Sequence, residues 1–235
     1  MLQFETVNEL TLKVTCSGQD VLFTKAGAFI AGENMGPKNY KFEKLLLGPQ
    51  GGFAQAALGQ FMRRMTGENL PLMKVTYMGD SVTYFADNAN HVLVYQLAPG
   101  EIISVESENI LAFTSDCDYG VRFIGTGILS QKGLATSTLT GKGPNAYVAI
   151  TCDGNPIVLS NVKTQSTMSV DPDALVCWIS NGHCEPTIQM DVSWKNIIGQ
   201  HSGESYQYEF HPNIPTTVII QPNERSHDGN GVRID

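Results

Sequence analysis

Charge is scarce in this chain, long apolar runs are missing, and none of the short motifs that announce catalysis or nucleotide binding is present. Charged residues make up 16% of the 235 positions and leave a net charge of -8. An acidic chain has no positive field to gather a polyanion, which argues against nucleic acid and anionic membrane surfaces as partners. No stretch approaches the ~18 apolar residues of a membrane-spanning helix. The first residues, Met1-Leu2-Gln3-Phe4-Glu5, lack a basic segment followed by an apolar run, and the expected location is the cytoplasm. Five cysteines, Cys16, Cys117, Cys152, Cys177 and Cys184, cannot all pair within one chain, and in a reducing compartment they read as buried thiols.

The same sparseness holds for chemistry. The histidines, His91, His183, His201, His211 and His227, form no His-x-His or His-x-x-x-His pair, and the nearest thing to a metal set is Cys177 with His183 and Cys184. Strand thiols usually pack as small hydrophobes, so no metal and no cofactor is expected. There is no Gly-x-Ser-x-Gly elbow. His201 and Ser202 are adjacent on the chain, and neighbours on a strand point to opposite faces. Gly125-x-Gly127 lacks a third glycine before a helix. Asp116-x-Asp118-x-Gly120 begins like a calcium loop, but Gly127 stands where the bidentate Glu is needed. No catalytic residue emerges.

What is present is β-patterning. Leu12, Val14 and Cys16 alternate with Thr11, Lys13 and Thr15; Tyr206, Tyr208 and Phe210 alternate with Gln207 and Glu209. Gly79-Asp80, Pro99-Gly100, Asp153-Gly154 and Pro212-Asn213 punctuate the strands as turns. With 42% hydrophobic residues the chain has a core's worth of apolar side chains, and the rhythm predicts an all-β sandwich or barrel. Leu58, Phe61, Met62 and Met65 fall at helical spacing and predict one short helix near 53–65, with a second helical turn near Trp194.

Ser104–Ser115 aligns without gaps onto Ser169–Ser180, acid on acid and aromatic on aromatic, so each copy predicts a strand end at Val105 or Val170, an acidic turn, and an apolar strand with Phe113 or Trp178 in the core. A triplet also recurs, as Thr66-Gly67-Glu68, Thr140-Gly141-Lys142 and Ser202-Gly203-Glu204, each read as leading into a hairpin. Lys142 in the second copy speaks against a shared role for charge at that place.

Arg63-Arg64-Met65-Thr66-Gly67-Glu68, Phe85-Ala86, Ile110-Leu111-Ala112-Phe113, Ser202-Gly203-Glu204 and Gln221 together resemble the family named for altered inheritance of mitochondria, across most of residues 1 to 222. The resemblance implies a fold like that of the tryptophan RNA-binding attenuation protein (TRAP), built from duplicated small double-sheet modules of the β-sandwich or double-stranded β-helix kind. The expected organisation is a module over 1–128 containing the helix, a second over 129–222, and a flexible tail over 223–235.

Functionally, duplicated modules without convergent catalytic groups predict a non-enzymatic scaffold or interaction protein. Such a protein would self-associate as a homo-oligomer, because exposed edge strands must be covered and fold relatives form rings; any further protein partner is unspecified. The alternative is a small-ligand or RNA-binding module using a groove near Arg63 and Arg64, the only adjacent basic pair, although these two can simply form an ion pair with Glu68. A third is an enzyme with an unrecognised site. Thr66, Gly67, Glu68, Thr140, Gly141, Ser202, Gly203 and Glu204 complete the set of candidate motif residues.

Overall fold

A strand that buries one face must alternate apolar and polar residues, and Thr11–Cys16 does so without exception: Leu12, Val14 and Cys16 are buried and their neighbours are not. The computed structural model describes residues 1–33, 36, 39–44, 72–124, 134–190 and 206–223. They are arranged in four antiparallel sheets, which establishes the all-β class.

The first sheet runs, in spatial order, β1 (Leu2–Val7), β2 (Thr11–Cys16), β7 (Ser81–Phe85), β4 (Phe29–Glu33). The second runs β5 (Tyr40–Lys44), β6 (Leu72–Met78), β3 (Gln19–Lys25), β10 (Ile110–Thr114), β13 (Tyr147–Cys152), β8 (His91–Gln96). The third runs β11 (Cys117–Ile124), β12 (Leu134–Gly141), β9 (Glu101–Val105), β16 (Leu175–Asn181), β19 (Thr216–Ile220), β14 (Ile157–Ser160). The fourth is β15 (Met168–Val170), β18 (Tyr206–Phe210), β17 (Thr187–Met190). Every strand of the third sheet stands six places further along the chain than its counterpart in the second. Strands from before and after residue 128 share both central sheets.

Three cores separate the four layers. The first, with Leu12, Val14, Phe85, Leu22, Val75 and Tyr77, lies between the first and second sheets. The second, with Ile110, Phe113, Val148, Ile150, Ile103 and Leu139, lies between the second and third. The third, with Leu175, Trp178, Val218, Val170, Tyr208 and Phe210, lies between the third and fourth. Each central sheet therefore buries both faces, which is why β10 is buried at all five positions instead of alternating.

The strands at the centre achieve this with a bulge. Against β13, β10 shifts register between Ile110 and Ala112, so that Ile110 and Phe113 point into the second core while Leu111 and Ala112 point into the first. Against β19, β16 shifts between Leu175 and Cys177, sending Leu175 and Trp178 into the third core and Val176 and Cys177 into the second. A bulge frees backbone groups that burial would penalise. The Leu111 carbonyl accepts from the Thr24 hydroxyl at 2.9 Å, and the Val176 carbonyl from the Glu106 amide at 3.3 Å.

A strand, a tight helical turn and a strand recur where the two aligned segments lie. Val105 ends β9 and a 3₁₀ turn over Ser107–Asn109 leads into β10; Val170 ends β15 and a 3₁₀ turn over Pro172–Ala174 leads into β16. The Asp171 carboxylate accepts the Asp173 amide at 2.9 Å, so the acidic residue serves the turn. The expected helix near 53–65 and the turn near Trp194 lie outside the described residues. One helix that alternation did not announce is the single turn α1 (Asn161–Thr164), capped by the Ser160 hydroxyl. Its buried Asn161 side chain donates to the carbonyls of His211 and Ile214 and accepts the Thr216 amide, tying the turn to β19. Among the described residues no helix is long and apolar enough to cross a membrane.

Candidate functional site

Of the candidate motif residues, Thr140 and Gly141 are described; Arg63, Arg64, Thr66, Gly67, Glu68, Ser202, Gly203 and Glu204 lie outside the described residues. Thr140 and Gly141 end β12, opposite Asp118 and Cys117 of β11, so the triplet closes one strand before the next, β13, begins at Tyr147. Lys142 opens the following turn, its amide donating to the Asp116 carbonyl and its ammonium 2.6 Å from the exposed Asp118 carboxylate. The glycine has a steric reason. A Cβ at Gly141 would lie 2.5 Å from the Ala98 carbonyl oxygen and 2.9 Å from the Leu97 Cβ, and the Gly100 amide donates to the Gly141 carbonyl. Backbone on both sides cannot yield, so Gly141→Ala is expected to destabilise the fold by about 1–3 kcal/mol, read from urea unfolding midpoints at unchanged slope. This position is a junction of strands.

The aspartates of the calcium-like segment are also committed. Asp116 accepts the Asn145 amide at 3.1 Å and closes the β12–β13 turn, and Asp118 holds Lys142. Cys177, His183 and Cys184 are not brought together as ligands. Cys177 lies in the second core, Cys184 in the third, where its thiol meets the Thr216 hydroxyl at 3.4 Å, and His183 is on the surface 3.1 Å from Glu185. Burial raises the Cys177 thiol well above its ordinary value, with Cys152 adding to the shift, and pushes Cys117 up to about 11. Thiols held protonated in this way are poor nucleophiles. Tyr208 and Phe210 are spent on the third core, where Phe210 meets Trp178 at 5.6 Å. A recess of about 430 Å³ is bordered by Asp171, Ala174, Gln221, Pro222 and Asn223. Several of its polar groups are already used: Asp171 on Asp173, the Gln221 amide on the Ala174 carbonyl, and Asn223 on Asp153.

One surface feature with unspent capacity is β4. It is an edge strand of the first sheet, hydrogen-bonded only to β7 among the described residues, and from Ile30 to Glu33 it is exposed. Ile30 presents 56% of its surface to solvent. The Glu33 carboxylate accepts the Tyr84 hydroxyl at 2.7 Å, which raises the Tyr84 pKa. An edge with an exposed apolar residue is a template for a further strand. Sequence reasoning missed β4, because Phe29-Ile30-Ala31-Gly32-Glu33 neither alternates nor lacks glycine.

The profile of a family described as mitochondrial biogenesis AIM24 matches residues 4–223. The crystal structure of a Streptococcus pyogenes protein, SPYM3_0169, superposes with a TM-score of 0.67 at 16% sequence identity, over 95% of this chain and 94% of that one, and so shares the fold. No curated protein matches significantly.

Proposed function

Because this chain belongs to the AIM24 mitochondrial-biogenesis family, we propose that it works as a non-enzymatic scaffold or interaction protein that associates with copies of itself. The observation that carries this reading is the exposed β4 edge bearing Ile30, a strand position with no neighbour beyond it among the described residues. Burial of the thiols and commitment of Asp116 and Asp171 to turns support it, since these groups serve the framework. The absence of disulfides among the five cysteines suits a reducing compartment, and we take the cytoplasm as the place of action.

The test is native mass spectrometry with sedimentation over a wide concentration range. Multiples of the 25.6 kDa chain that grow with concentration are the expected result. A mass of one chain at every concentration would remove the self-associating scaffold. Extra mass that is lost on denaturation and identified as a small molecule would replace it with a ligand-binding role.

A further inference from the structure

The two junctions inside the chain show how its two ends are completed. In the second sheet β5-β6-β3 is joined to β10-β13-β8 by pairing of β3 with β10; in the third, β11-β12-β9 is joined to β16-β19-β14 by pairing of β9 with β16. Six places back along the strand order, the counterpart of β10-β13-β8 is β4-β7-β2 of the first sheet. Six places on, the counterpart of β11-β12-β9 is β17-β18-β15 of the fourth. After β1, the described strands thus form three six-strand units in series, and each outer sheet contains half of a junction. One half ends on β4 and the other on β15, both edges among the described residues.

The registers make the match residue by residue. Against β7, β4 shifts register between Phe29 and Ala31, as β10 does between Ile110 and Ala112 and β16 between Leu175 and Cys177. Ile30 therefore stands where Leu111 and Val176 stand, and Ala31 where Ala112 and Cys177 stand. Leu111 and Ala112 plug the first core, and Val176 and Cys177 plug the second. Among the described residues the third core receives no such pair, while Ile30 is 56% exposed against 0% for Leu111 and for Val176.

We infer that two copies of this chain join head to tail, β4 of one pairing antiparallel with β15 of the next, so that Ile30 and Ala31 plug the neighbour's third core. This rests on the self-associating reading above and names its surface. Phe113 lies opposite Phe23 at the first junction and Trp178 opposite Ser104 at the second, which sets Gly32 opposite Ser169 at the third. Glu33, in the place of Thr114 and Ile179, enters already hydrogen-bonded to Tyr84. The contact uses different surfaces on the two copies, so it propagates into a ring or a filament.

Single variants Gly32→Cys and Ser169→Cys, mixed and treated with an added disulfide oxidant that takes two protons and two electrons per bond, test the register. Directly opposed strand residues have Cα atoms roughly 4.5–5.5 Å apart, within disulfide range. The expected product is a crosslinked dimer that forms in the mixture and contains one chain of each variant. Ile30→Asp, at an exposed position, is expected to weaken association roughly ten- to hundred-fold with no loss of melting temperature. If association persists while the mixed crosslink is absent, or while Ile30→Asp leaves it unchanged, the β4–β15 junction is overturned and the scaffold reading stands. A single-chain mass at all concentrations overturns both.

Discussion

Trp178→Ala is expected to lower the unfolding free energy by about 3–5 kcal/mol, a large part of the stability of a domain of this size. The indole is 1% exposed, fills the space between the third and fourth sheets, and stands 5.6 Å from the Phe210 ring. Its Nε1 donates to the Cys184 carbonyl at 3.0 Å, so truncation removes a large apolar volume and leaves a buried acceptor unpaired. Trp178→Phe separates the two losses, since phenylalanine is what the corresponding position, Phe113, already carries. It should recover more than half of the lost stability in denaturant titrations followed by circular dichroism. A cost for the alanine variant below about 1 kcal/mol would contradict burial of the ring.

Leu111→Ala should cost about 2–5 kcal/mol. The residue belongs to a strand of the central sheets, but the bulge turns its side chain into the first core beside Leu12, Val14 and Phe85. The loss therefore has a location that a simple alternating strand would not predict. Amide exchange is expected to accelerate in β2 and β7 of the first sheet, while β16 and β18 around the third core change least. Acceleration confined to the second core, around Ile103 and Leu139, would mean that Leu111 points the other way.

The sequence reveals its strands through alternation and its turns through steric need. Thr11–Cys16 carries the expected pattern, and Gly100 and Gly154, in the turns read from Pro99-Gly100 and Asp153-Gly154, have φ of 85° and 74°, where a Cβ would be strained. Phe113 and Trp178 reach cores as their pattern implied. Strand order was not legible, since β3 pairs with β10 across most of the first unit and no local pattern encodes that partner. Nor was Gly141, which looks like a turn former in a recurring triplet but is fixed by the Ala98 carbonyl, a neighbour distant in the pattern. The candidate site was legible in the same uneven way. The basic pair drew attention by its charge, while β4, whose glycine and bulge break the period of two, drew none.

Sharing of sheets between successive units also governs how the chain comes to fold. The first core contains Leu22 and Ala149 together, and the Thr24 hydroxyl closes on the Leu111 carbonyl. At translation rates of ~5–20 residues per second, the interval between making β3 and making β10 is on the order of ten seconds. Throughout it Leu22, Phe23 and Thr24 sit on an edge whose partner strand is not yet made. A newly made chain therefore passes through a period in which its own missing strand can be supplied by another chain, and its yield in cells should depend on chaperones that shield that edge.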